Sequence, residues 1–142
     1  MNQRFALGLD YGTNSCHSLL IDLTTGEELG SAVFPYPSGS AGILLDPKEP
    51  HLARQHPQDY LDGLTAIITG AIAKAKATHP AFDPARIIGI GIDTTGSTII
   101  PVDAQCTPLA LLPEFAGNLA AQVWLWRDHT GYAEAEIGRA HV

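Results

Sequence analysis

Cysteine is nearly absent. Cys16 and Cys106 are the only two in 142 residues, too few for the disulfide framework of a small secreted scaffold. Positive charge is also sparse: 8 Lys and Arg stand against 15 Asp and Glu, a formal net charge of −7. A nucleic-acid binder needs clustered cations to displace counterions from phosphates, so no nucleic-acid partner is expected. No apolar run reaches the roughly 18–20 residues of a membrane span. Met1-Asn2-Gln3-Arg4 leads straight into a strand-like run, where a signal peptide would need a longer apolar core. The expectation is a reducing, cytoplasmic setting with no membrane partner. Charged residues make up only 16% against 45% apolar, which excludes a disordered polyelectrolyte, a collagen repeat and a coiled coil. No period of 20–50 residues recurs, so a solenoid is excluded too.

What remains is a chain of one-domain size, able to bury roughly 68–70% of its unfolded surface. Phe5-Ala6-Leu7-Gly8-Leu9 is a short apolar run closed by Asp10 and a Gly/Thr/Asn turn, the pattern of a buried strand. Cys16–Ile21 and Leu29–Phe34 follow as two further strands of a meander, and the Pro/Gly/Ser-rich stretch Pro35–Pro50 reads as a loop. From Pro57 to Thr78, Tyr60, Leu61, Leu64, Ile67, Ile68, Ala71, Ile72 and Ala75 recur at three- and four-residue steps, one apolar helical stripe. Pro57 suits the first helical position and His79-Pro80 the stop. Arg86–Ile92 reads as a second buried strand, Ile99–Val102 as another, and Val123–Trp126 as a short apolar segment. The order βββαββ predicts a mixed α/β layer architecture.

Three segments can carry chemistry. In Leu9-Asp10-Tyr11-Gly12-Thr13-Asn14-Ser15, the turn's N–H groups and the Thr13 and Ser15 hydroxyls can line a phosphate concavity. Asp10 can hold a magnesium ion that keeps part of its water shell. A hairpin turn with a capping Asp explains the same residues. An aspartyl phosphatase would need a second acid two residues after Asp10, where Gly12 stands; no Gly-x-x-x-x-Gly-Lys loop occurs either. In Asp93-Thr94-Thr95-Gly96-Ser97-Thr98, four hydroxyls can bond a polyol or simply form a polar turn. In Trp124-Leu125-Trp126-Arg127-Asp128-His129-Thr130, a Trp face can pack on a sugar, although Trp124 reads better as a core anchor. The six histidines are dispersed, so no zinc site is expected.

Taken together, Gly8–Ser15, His56-Pro57-Gln58-Asp59-Tyr60, Gly89–Thr98, Leu111-Leu112-Pro113-Glu114-Phe115 and Leu125–Thr130 resemble the FGGY carbohydrate kinases, most closely the branch acting on L-ribulose. The resemblance implies a ribonuclease H-like (actin/hexokinase-type ATPase) α/β fold, with the chain as the amino-terminal part of the first domain. It implies ATP- and Mg²⁺-dependent phosphorylation of L-ribulose at O5 in arabinose breakdown, catalysed by positioning and charge stabilisation. Asp10, Gly12, Thr13, Asn14 and Ser15 would then serve ATP, with Asp10 the magnesium residue. Gly96, Ser97, Trp126 and Asp128 would serve the sugar. A general base is expected beyond residue 142 and the adenine site in a second domain, so the 142 residues alone are expected to be inactive. A homodimer is compatible with a full-length protein. His17 replaces the arginine usual after the phosphate loop, a poorer phosphate partner than a guanidinium fork. The kinase part is expected to span residues 1–136. Ile137-Gly138-Arg139-Ala140-His141-Val142 departs from the family and reads as a non-native tail. A non-catalytic sugar- or nucleotide-binding module of the same fold, another FGGY sugar kinase, and a hydrolase using Asp10 remain as alternatives.

Overall fold

The computed structural model describes residues 3–139. The protein divides into two compact units, Met1–Tyr36 with Tyr60–Thr95, and Pro37–Asp59 with Gly96–Val142.

The first unit is a four-stranded sheet under one helix. Strands β1 (Phe5–Tyr11), β2 (Ser15–Asp22) and β3 (Glu28–Pro35) form the expected antiparallel meander. Asp22 closes the β2–β3 turn by accepting the Thr24 N–H at 2.7 Å, an Asx-type turn. Helix α1 spans Pro57–Thr78, the bounds the periodicity and its flanking prolines predict. Its Ile67, Ala71 and Ala75 pack on Phe5, Leu7, Leu9, Cys16, Leu20 and Leu29 to form the core. Leu61 departs from the predicted stripe and is half exposed. The helix lies close to the sheet because two glycines permit it. A Cβ at Gly30 would run into the backbone of Ala71 and Ala75, and one at Gly63 would meet the Cys16 sulfur at 2.5 Å. Burial, the largest influence on Cys16, raises its thiol pKa and keeps it protonated.

After α1 the backbone returns as β6 (Ile87–Thr94), parallel to β1, giving the order β3-β2-β1-β6. The expectation of a buried strand fails here. Ile88, Ile90 and Ile92 are 58%, 59% and 64% exposed. The register sets Ile90 and Ile92 beside Leu7 and Leu9, but α1 packs over β1–β3, so β6 is an uncovered edge.

The second unit contains a hairpin where a loop was expected. Strands β4 (Leu44–Asp46) and β5 (Glu49–Gln55) pair antiparallel, and β7 (Val123–Trp124) adds to β5. Ile99–Val102 is not a strand: only Ile99 and Val102 make isolated bridges, to Trp124 and Pro108. Pro101 has no N–H to extend a ladder, and its carbonyl takes the Leu109 N–H at 2.9 Å instead. A short helix α2 (Tyr132–Arg139) follows. It includes Ile137–Arg139 of the expected tail; residues 140–142 lie outside the described residues. Among the described residues, no helix is long and apolar enough to cross a membrane.

Candidate functional site

In the first unit, strand alternation determines which side of the sheet Asp10 occupies. Phe5, Leu7 and Leu9 point into the core, so Gly8 and Asp10 fall on the opposite, exposed face. Parallel pairing sets Asp10 beside Asp93 at the ends of β1 and β6, and antiparallel pairing sets it beside His17 on β2. Two carboxylates and an imidazole therefore stand in one row across three strands. A shallow cavity of about 320 Å³ opens there, with Gly8, Asp10, His17 and Leu19 in its walls. The turn behind Asp10 is held by its own backbone. The Gly12 N–H donates to the Ser15 carbonyl and the Tyr36 N–H to the Asn14 carbonyl, each at 2.9 Å. Ser15 Oγ lies 2.9 Å from His17 Nε2. The hydroxyl–imidazole pair thus stands at the start of β2, directly after the turn.

Asp93 opens the polar motif Asp93–Thr98, and the sequence motif by itself does not mark it as a partner of Asp10. The available signal was that both strands end in Asp followed by small polar residues; the parallel pairing that makes the two acids neighbours is a tertiary fact. Among the described residues, no three His, Cys, Asp or Glu side chains form a group able to hold a metal ion by themselves.

In the second unit, the Trp126 turn is built around a buried cation that the sequence motifs did not reveal. Arg54, on β5, is 2% exposed and pairs with Asp128. Its guanidinium carbon lies 3.4 Å from the centre of the Trp124 ring, and its Nε–H donates to the Leu119 carbonyl at 3.2 Å. The Asp128 carboxylate also accepts the Ala53 N–H at 2.8 Å and the Thr130 hydroxyl at 2.6 Å. Burial opposes its charge, but the hydrogen bonds from Arg54, Thr130 and Ala53 outweigh that cost and hold its carboxyl below the usual carboxylate range. Asp128, expected on the sugar side, is thus engaged in fixing the turn. Trp124 is an anchor, its Nε1–H donating to the Ala120 carbonyl at 3.0 Å.

Trp126 is 52% exposed. The antiparallel bridge between Ile99 and Trp124 runs the Gly96–Ile99 segment alongside Trp124–Trp126, so Ser97 and Trp126 each lie two residues from that bridge. Within this turn the left-handed backbone falls at Ser97, with φ of 54°. A Cβ at Gly96 would meet nothing within 4 Å. The phosphate-side candidates Asp10, Gly12, Thr13, Asn14 and Ser15 therefore cluster in the first unit. The sugar-side candidates Gly96, Ser97, Trp126 and Asp128 cluster in the second.

No protein-family model matches the sequence. It is similar to a ribulokinase of Vibrio parahaemolyticus, 42% identical over 135 residues covering 95% of this chain and 23% of that protein. A ribulokinase of Geobacillus thermodenitrificans is 38% identical over 141 residues, with 96% and 24% covered. Among solved structures, a xylulose kinase from Rhodospirillum rubrum superposes with a TM-score of 0.69 at 20% identity, over 98% of this chain and 24% of that one. A gluconate kinase from Lactobacillus acidophilus gives 0.68 at 16% identity, over 98% and 23%. The resemblance to the FGGY carbohydrate kinases thus extends over nearly all 142 residues, and the mixed α/β fold is that of the sugar kinase structures. The chain spans about a quarter of the length of the curated relatives it matches.

Proposed function

We propose that these 142 residues are the part of a cytoplasmic carbohydrate kinase that provides one side of its nucleotide site and one side of its sugar site. The reaction is the ATP- and Mg²⁺-dependent phosphorylation of L-ribulose at O5, in arabinose breakdown. The observation that carries this reading is the 42% identity, over 95% of the sequence, to a protein named ribulokinase.

The residues present fit the groups that such a reaction uses. Magnesium prefers hard oxygen ligands, retains several waters and is commonly held by one or two carboxylates plus phosphate oxygens. Asp10 and Asp93, side by side and exposed at two strand ends, are such a pair of oxygen donors. Magnesium bound there supplies charge neutralisation for the phosphates. Asp10 would orient that charge, the 12–15 turn would offer backbone N–H groups and hydroxyls to the phosphates, and His17 would present an imidazole beside them. On the sugar side, the half-exposed Trp126 indole provides a flat apolar face for the C–H groups of the ketose. Ser97 offers a hydroxyl, and the missing side chain at Gly96 leaves volume. Asp128 acts through the turn it fixes.

The general base and the adenine pocket belong to sequence beyond residue 142, and residues 137–142 are a non-native tail. The 142-residue protein alone therefore gives no ribulose phosphorylation above a no-enzyme control in a coupled assay. Measurable turnover by the purified protein would refute that. In a full-length protein, Asp10→Asn keeps the shape but removes the charge. It should weaken Mg²⁺-dependent ATP binding at least tenfold and leave sugar binding unchanged; unchanged nucleotide binding across a magnesium titration would take Asp10 off the metal side. Sequencing the genomic locus tests the kinase reading against a non-catalytic binding module of the same fold, since a kinase must continue into a catalytic base and a second domain.

A further inference from the structure

The two ends of β1 hold different things. Asp10 lies near the carboxyl end, whereas Phe5, which opens the strand, walls another cavity of about 240 Å³ within the first unit. Five residues of strand put roughly 16 Å between the two. Phe5, Leu29 and Phe82 form an apolar side of this cavity; Asp22, Glu27 and His79 form a polar one, and no Lys or Arg lines it. The volume falls just below the range of drug-sized sites and suits a ligand of a few heavy atoms.

The acids there lack a strong counter-charge. Asp22 is 3% exposed, and the Thr24 and Thr25 N–H groups both donate to its Oδ1, at 2.7 and 3.3 Å. Among the described residues, Oδ2 of this buried carboxylate accepts no hydrogen bond. Its lone pairs are left to whatever the cavity holds, and an unpaired buried charge is costly. The Asp22 N–H donates to the Glu27 carbonyl at 2.9 Å, which sets the second acid across the β2–β3 turn, where like charges repel. Glu27 Oε1 lies 3.2 Å from His79 Nε2, and Nδ1 of that ring lies 2.8 Å from Thr78 Oγ1. Neither acid pairs with a Lys or Arg among the described residues. Helix α1 ends at Thr78, also in the lining, and a helix carboxyl end adds partial negative charge.

We propose that this cavity binds a primary aliphatic amine in its ammonium form. The ammonium donates to Asp22 Oδ2 and to Glu27, and its hydrocarbon chain lies against Leu29 and Phe82. Among the described residues, no group of three acids, histidines or cysteines is placed to hold a metal ion, so an organic cation matches this donor set. The site lies apart from the strand end assigned to ATP, and the proposal does not depend on the kinase reading.

The test is titration of the isotope-labelled 142-residue protein with n-butylammonium chloride, followed by amide NMR shifts. n-Butanol is the neutral isostere, methylammonium the charge without the chain, and Mg²⁺ the metal alone. Butylammonium should bind saturably and shift the Thr24 and Thr25 amides, at least tenfold tighter than butanol and than methylammonium. Mg²⁺ should not displace it. Asp22→Asn keeps an Oδ1 acceptor for the turn, and Glu27→Gln changes a largely exposed side chain; each should weaken binding at least fivefold while melting like the parent. Should Asp22→Asn fail to fold, Glu27→Gln decides alone. Absence of saturable binding, butanol binding as tightly, unmoved Thr24 and Thr25 amides, displacement by Mg²⁺, or a folded variant that binds like the parent would each overturn the proposal. A full-length protein inert toward L-ribulose would sink the kinase reading and leave this result standing.

Discussion

Removing Asp128 should unfold the second unit well before anything happens to the first. The Arg54 and Asp128 side chains are 3% and 4% exposed, so Asp128→Ala leaves a guanidinium buried without its counter-charge. Breaking a buried pair from one side costs about 3–5 kcal/mol, against the roughly 0–1 kcal/mol of a surface pair. It also strips acceptors from the Ala53 N–H and the Thr130 hydroxyl. The structure supplies a selective probe, because both tryptophans, Trp124 and Trp126, lie in the second unit. Urea unfolding followed by tryptophan emission therefore reports that unit. Arg54→Met combined with Asp128→Leu removes both charges and should recover most of the loss. The pH dependence has a definite sign. The carboxyl is held below its usual value, so its stabilisation is present above the unfolded carboxylate pKa, about 4, and is lost as pH falls through the lower folded value. A single mutant that loses less than about 1 kcal/mol, or a double mutant as unstable as the sum of the singles, would refute the reasoning.

Four further substitutions test other parts of the structure. Gly30→Ala forces a methyl into the α1 backbone and should cost about 1–3 kcal/mol, read by far-ultraviolet circular dichroism melting; an unchanged melt would mean that the helix does not approach the sheet there. Ile90→Lys lies on the uncovered β6 and should change stability by no more than about 0.5 kcal/mol; a loss of several kcal/mol would show the strand to be covered in the folded protein. In a full-length kinase, Gly96→Arg should abolish turnover or raise the KM for ribulose at an unchanged melting temperature, because open space surrounds that position. Ser97→Ala should cost less, about 0.5–1.5 kcal/mol for one neutral hydrogen bond.

The parts legible in the sequence are those encoded locally. Helix α1 was readable to its ends because its apolar stripe, Pro57 and His79-Pro80 are all local signals. The first three strands were readable because turn residues punctuate them. The β4–β5 hairpin was not, since Pro47, Lys48 and Pro50 read as loop and its pairing with β7 depends on residues some seventy positions away. Strand β6 carries the apolar run of a strand covered on both faces, yet periodicity cannot say whether a covering layer is present. The phosphate-side turn was legible as a motif, whereas the Asp10–Asp93 register was not. Arg54 was invisible because a single arginine among Leu52, Ala53 and Gln55 signals nothing until Trp124, Leu119 and Asp128 converge on it.

The most direct test of the kinase reading is substrate competition by the intact gene product of the locus encoding these 142 residues. That protein is supplied with ATP, Mg²⁺ and equimolar L-ribulose, D-xylulose and D-gluconate, and the phosphorylated products are resolved by mass and chromatography. L-Ribulose 5-phosphate should be the dominant product, with its formation lost in Asp10→Asn. Dominant phosphorylation of xylulose or gluconate, or ribulose turnover that survives the loss of Asp10, would contradict it.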